Sequence, residues 1–196
     1  MSVQRYAANT NNAFYLNDTA LIAQALLEGS SPVQVVRQAT NGLLDYRSIS
    51  SRETYAREIL KRLAGLEPEL LGFLTAGGEL RRVTNLYTFL RSGRLLREFF
   101  LEVLQDKRQR FDRVLRPTDV GAFFTRKLDQ EPLIASWSEA TLLKARSNIL
   151  KVLTDARVLE PASGSSNLEI MPVFVPSPLR SLLERVERFE ELAWFS

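Results

Sequence analysis

Residues 136–175, SWSEATLLKARSNILKVLTDARVLEPASGSSNLEIMPVFV, change hydrophobic period midway, which leaves few folds open to this part of the chain. Ser136 with Glu139 three residues on has the form of a capping box, so a helix is expected to start there. At about 100° per residue, Leu142, Ala145, Ile149, Val152, Leu153 and Ala156 share one side, while Thr141, Lys144, Ser147, Asn148 and Lys151 form the opposite stripe. Arg146 falls inside the apolar arc and must either snorkel past the core or pair with an acid from another helix. Beyond the helix, Val158-Leu159-Glu160, the turn-rich PASGSSN and the Ile-, Val- and Phe-bearing residues 168–175 predict a two-stranded hairpin with a loose tip. A helix followed at once by such a flap is a winged-helix arrangement, suited to placing the helix in a major groove and the tip on phosphate backbone.

Composition narrows the chemistry. The 196 residues include no cysteine and no histidine, which removes disulfides, thiolate metal sites, thiol catalysis and the commonest general base. Neither GxxxxGK[ST] nor GxGxxG occurs, and Glu184, Glu187, Glu190 and Glu191 are spaced as a solvated face rather than a metal site. A non-enzymatic protein without cofactor, metal or small-molecule substrate is therefore expected. No apolar run reaches membrane length and the N-terminus lacks a basic-then-apolar leader, so the expectation is a cytoplasmic protein with no membrane contact. Net charge is only +3, but residues 79–116 carry ten Lys or Arg against five Asp or Glu. Such a stripe fits a polyanion partner.

Helical spacing accounts for the rest of the chain. Tyr6, Phe14 and Tyr15 are placed to dock an irregular lead-in. Asn17 or Asp18 is expected to cap a first helix that stops at Gly29; Ser31-Pro32 opens a second, ending at Gly42, and the two resemble a helix-turn-helix. A third is expected from Ser51, with Tyr55, Ala56, Ile59, Leu60 and Leu63 inward and Thr54, Arg57, Glu58 and Lys61 outward. Arg47, Ser50, Ser51 and Arg52, at its start, suit a phosphate at a helix N-terminus, or simple N-capping. Pro68 opens a short helix to Gly77-Gly78. Residues 80–111, broken at Ser92-Gly93, read as a central helical hairpin with Phe99 and Phe100 in the core and arginines outward. Arg113–Thr118 marks a boundary, giving a helical domain at 1–116 and a winged-helix-like domain at 117–196. The expected fold is mainly α, with an N-terminal helix-turn-helix-like bundle, the central hairpin and a C-terminal winged-helix-like unit whose small β-hairpin is the sole β structure.

The segments YAANTNNAFYLNDTALIAQALLEG, YRSISSRETYAREILKRL, LRRVTNLYTFLRSGRLLREFFLEVL and WSEATLLKARSNILKVLTDARVLE, in that order, resemble the small A-type protein of bacteriophage-exclusion (BREX) systems over nearly the whole chain. Tyr46, Arg47, Ser50, Ser51 and Arg52, and then Trp137, Ser138, Lys144 and Arg146, match its characteristic segments. The resemblance implies a helical, non-enzymatic, double-stranded-DNA-binding accessory factor in phage defence, with other BREX components as further partners. DNA contact is expected at Arg47, Ser50, Ser51, Arg52, Arg57, Lys61, Thr141, Lys144, Ser147, Asn148 and Lys151. An adaptor holding other defence components together and an antitermination-like RNA binder are the alternatives.

Overall fold

A computed structural model of the chain describes residues 6, 7 and 13–195. The described residues pack as two compact units, one within Met1–Phe14, Phe89–Phe174 and Ala193–Ser196, the other within Tyr15–Thr88 and Val175–Leu192. The junction expected at Arg116-Pro117 lies inside the first of these. The fold is predominantly helical with one small open sheet.

The second unit holds α1 (Leu16–Leu27), α2 (Pro32–Gln38), α3 (Ile49–Leu63), α4 (Pro68–Thr75), most of α5 (Gly78–Ser92), α11 (Ser177–Arg185) and α12 (Phe189–Leu192). Ile22, Val35, Ala39, Leu44, Ile59 and Leu74 form the buried centre of its core. The capping box at α2 is complete: Gln34 N donates to Ser31 Oγ at 3.3 Å and Ser31 N to Gln34 Oε1 at 2.7 Å. Gly29 ends α1 at φ +90° as expected. The start of α1 differs: neither Asn17 nor Asp18 caps it, because the helix begins at Leu16 behind a left-handed Tyr15. Asp18, within the first turn, accepts the Tyr46 hydroxyl instead, and Tyr46 packs with Tyr15 and Tyr55. The third helix also starts earlier than Ser51. Ser48 is its cap, accepting from Ser51 N at 3.1 Å. From the far end of α3 the buried Arg62 donates to Thr19 Oγ1 at 2.5 Å and Asn85 Oδ1 at 3.4 Å, tying α3 to α1 and α5.

The first unit contains the end of α5, then α6 (Arg94–Phe99), a π-helical turn (Phe100–Gln105), α7 (Asp106–Gln109), β1 (Val114–Leu115), α8 (Pro117–Gln130), α9 (Pro132–Ala135), α10 (Glu139–Asp155), β2 (Leu159–Pro161), β3 (Leu168–Ile170) and a 3-10 turn at Ala193–Phe195. Phe99 and Phe100 are core residues, as expected. Phe99 meets Phe123 edge-on at 5.1 Å, Phe123 meets Phe124 at 5.4 Å, and Phe100 meets Phe195 at 6.2 Å. β2 and β3 form the expected hairpin, with Leu159 opposite Ile170 and Pro161 opposite Leu168. They are not the sole β structure: β1 adds to the far side of β3, Val114 opposite Glu169, giving the order β1-β3-β2. A two-residue strand is too short to show an alternating pattern, so Arg113–Thr118 reads as a linker in the sequence. Leu115, Leu159 and Ile170 are buried on one sheet face while Glu160 and Glu169 stand exposed on the other.

The outward arginines expected along residues 81–116 are found in part: Arg110, Arg113 and Arg116 are exposed, whereas four earlier ones turn to partners of the fold. Arg81 donates to the carbonyls of Ala76 and Thr75 at the end of α4, and Arg82 is buried against Glu79. Arg94 bonds Glu98 and Glu131, and Arg97 reaches the Leu90 carbonyl at 3.0 Å. These guanidiniums complete orphan carbonyls and ion pairs of the fold itself, a use of arginine that a charge count does not distinguish from surface charge.

Candidate nucleic-acid interface

α10 is built to show one polar face. Ser138, not Ser136, is its cap, accepting from Thr141 N at 3.2 Å; Ser136 turns back to donate to the Leu133 carbonyl at the end of α9. Ala145, Ile149, Val152 and Leu153 are buried, with Ala156 just past the end, as the period requires. Opposite them Lys144, Ser147 and Lys151 are exposed, while Thr141 and Asn148 are half-buried. Asn148 helps to line a small cavity of about 40 Å³ with Gly93, Leu96 and Ile149, so it leans towards the body more than the spacing suggests. Lys151 is shared with Asp155 at 3.1 Å, whereas Lys144 makes no ion pair among the described residues. Arg146 neither snorkels nor meets an acid among the described residues: it is half-buried, its Nε covered and its guanidinium 4.9 Å from the centre of the Phe124 ring.

The hairpin tip stands at the far end of β2. Ala162 N donates to Asn167 O at 3.2 Å, Asn167 N to Ser165 Oγ at 3.2 Å, and Gly164 takes φ +72° to close the turn. Four small exposed residues, Ser163 to Ser166, form the tip. Between α10 and β2 lies an exposed cation that periodicity alone did not find: Arg157, left-handed at φ +54°, its N–H bonded to Thr154 O and that of Val158 to Leu153 O. A basic residue one step beyond the helix, where its C-terminal carbonyls gather, is the signal that could have found it.

α8 supports α10 through the Phe124–Arg146 stack and is itself anchored by charge. Lys127, 5% exposed, lies 2.7 Å from Glu98 and 2.6 Å from Glu102. Glu98 also takes Arg94 at 2.7 Å and the Tyr6 hydroxyl at 2.8 Å, and Tyr6 reaches Glu131 at 2.9 Å. Arg94 covers the Tyr6 ring at 3.9 Å. Burial alone would raise the Glu98 carboxyl, but the hydrogen bonds from Lys127, Arg94 and Tyr6 outweigh it and hold the carboxyl below its ordinary value. Tyr6 is pushed above the ordinary phenol range, by burial first and then by its bonds to Glu98 and Glu131. Of the expected lead-in, residues 1–5 and 8–12 lie outside the described residues; Tyr6 docks through these bonds and Phe14 stacks on Phe89 at 5.7 Å.

The N-terminal candidates lie in the other unit and divide by direction. Ser50, Arg57 and Lys61 share an exposed face of α3, with Arg57 paired to Glu53 at 2.7 Å. Arg47 is exposed in the turn before it. Ser51 is half-buried and bonded to Ser48, and Arg52 donates inward to the carbonyls of Tyr46 and Thr40, so these two hold the turn. Among the described residues no group of three or more Asp or Glu is placed to hold a metal ion, and no helix is long and apolar enough to cross a membrane.

Fold and surface together define a predominantly helical protein with a small open sheet and a cation-bearing helix face beside its hairpin. The chain belongs to the BrxA family, whose model matches residues 4–187. It is 26% identical over 161 residues to the BREX protein BrxA of Bacillus cereus (strain H3081.97), covering 80% of each chain. It is also 26% identical over 117 residues to the BREX protein BrxA of Escherichia coli O9:H4 (strain HS), 59% of this chain and 55% of that one. A crystal structure of an uncharacterized protein from Magnetospirillum magneticum shares the fold, with a TM-score of 0.80 at 19% identity over 97% of both chains.

Proposed function

We propose that this BrxA-family protein is a non-enzymatic accessory factor of a BREX phage-defence system that binds double-stranded DNA through α10 and the β2–β3 tip. The observation that carries the reading is the element order. The sequence helix (α6–α7), β1, α8, the short α9, α10, β2, β3, with strand order β1-β3-β2, supports a winged-helix reading. In that arrangement α10 is the groove helix, presenting Lys144, Ser147 and Lys151, and the serine-rich tip meets phosphate. Thr141 and Asn148 flank this stripe. Arg47, Ser50, Arg57 and Lys61 form a separate candidate patch, with Ser51 and Arg52 as its support.

Fluorescence anisotropy with unrelated duplexes over a range of salt concentrations tests the reading. Lys144→Ala is expected to weaken binding to all duplexes alike and to lower the salt slope by about one, as for removal of one phosphate-neutralising cation. Superimposable binding curves for a folded Lys144→Ala protein would sink the α10 assignment. A preference for RNA of the same length would favour the antitermination-like alternative.

The adaptor reading has one observation of its own. Between α2 and α3 lies a groove of about 300 Å³ lined by Pro32, Val33, Val36, Arg57 and Leu60, with Val33 80% exposed. An apolar groove rimmed by a cation suits a protein segment.

A further inference from the structure

Phe111 is 93% exposed and sits at φ +59°, in the left-handed region, just past Arg110, the C-cap of α7. Its N–H donates to Arg108 O at 3.0 Å and the next, Asp112, to Lys107 O at 2.9 Å. This paired pattern normally ends on glycine, because a side chain there meets the backbone. The chain therefore accepts both a steric cost and an unfavourably hydrated ring at this position. Beside the ring runs a groove of about 260 Å³ lined by Arg108, Gln109, Phe111, Arg113, Ile170 and Pro172, with no carboxylate among them.

The charges around it are unevenly matched. Arg110 is paired with Asp106 at 2.9 Å and Arg116 with Asp112 at 2.8 Å, whereas Arg108 and Arg113 make no ion pair among the described residues. Arg113 is fixed by the sheet, its carbonyl accepting from Ile170 N at 2.8 Å. β3 leaves the hairpin tip at Leu168 and ends at Ile170, so the groove lies at the end of the sheet away from that tip.

We propose that this groove binds single-stranded DNA, with an unpaired base stacked on the Phe111 ring and its flanking phosphates at Arg108 and Arg113. A platform of one exposed aromatic ring on a hydrogen-bonded turn, between two arginines without ion pairs among the described residues, matches a strand whose flat apolar faces alternate with negative charge. Bases inside a duplex offer no such face. An acidic peptide would need a concave apolar pocket for its anchor side chain, and here the ring stands out into solvent. The site lies apart from the α10 stripe, so the two can fail separately.

The test uses the full chain with a short labelled oligothymidine, a blunt duplex and an RNA oligonucleotide of matching length. Phe111→Gly removes the ring and the left-handed strain together. The expected result is a thermal midpoint equal to or above the parent's, affinity for oligothymidine weakened about five-fold or more, and duplex affinity unchanged. Arg108→Ala with Arg113→Ala is expected to lower the salt slope for the single strand by about 0.7 for each phosphate left without its arginine. Lys144→Ala should leave the single strand alone. The proposal is overturned if the parent does not bind oligothymidine, if it prefers the RNA, if Phe111→Gly binds the single strand as the parent does, or if that variant melts earlier, which would make the ring a structural one.

Discussion

Lys127→Ala is expected to cost about 3 to 5 kcal/mol of stability, seen as a fall of roughly 6 to 20 °C in the thermal midpoint of a chain of this size. Lys127 is 5% exposed, and its ammonium stands between Glu98 and Glu102 at 2.7 and 2.6 Å. Deleting it leaves Glu98, itself well covered, to face Glu102 and Glu131 with only Arg94 and the Tyr6 hydroxyl in compensation. Removing one partner of a buried pair is costlier than the pair is favourable, because the remaining charge keeps its desolvation cost. Adding Glu98→Gln to Lys127→Ala should therefore recover part of the loss, a coupling that a double-mutant cycle reads directly. The pH dependence has a definite sign. A carboxyl held below its ordinary value, as that of Glu98 is, stabilises the fold fully above that ordinary value and loses the contribution as pH falls through its lowered one. Without Lys127 there is less to lose, so the gap between variant and parent should narrow below about pH 4.5. A gap that stays constant from neutral to acid pH would show that the ion pair contributes nothing.

Which parts of this molecule could be read from its sequence follows from the range of the interactions involved. The Ser31-Pro32 start of α2, the Gly29 stop, the apolar face of α10 and the β2–β3 hairpin are set within a few residues, and each is where the sequence places it. β1 is invisible because two residues carry no period, and its partner β3 is more than fifty positions away. Lys127 and Glu98 are likewise joined only by the fold, and Arg81, Arg82, Arg94 and Arg97 read as a solvent-facing basic stripe although each has an internal partner. The same limit applies to the site. Lys144, Ser147 and Lys151 are exposed as the helical wheel requires, but the wheel cannot tell that Asn148 borders a cavity, that Arg52 turns inward to carbonyls, or that Arg157 adds charge past the helix end.

The aromatic core gives the second large effect. Phe99→Ala is expected to lose about 3 to 5 kcal/mol, the range for deleting a fully buried ring. Phe99 is fully buried on α6 and meets Phe123 of α8 edge-on at 5.1 Å and 89°, and Phe123 in turn meets Phe124, whose ring carries Arg146 of α10. The loss thus has two sources: the transfer energy of the ring with its edge-to-face packing, and the cavity left against side chains that cannot all move in. Phe99→Leu fills most of that cavity and should cost distinctly less, whereas an effect of equal size would point to ring geometry rather than volume. Because Phe99 is buried on α6 and is no part of the exposed α10 face, duplex affinity measured well below the melting range should stay within error of the parent for Phe99→Leu. If Phe99→Ala melts with the parent, the ring is not part of the core and α6 does not pack on α8 through it.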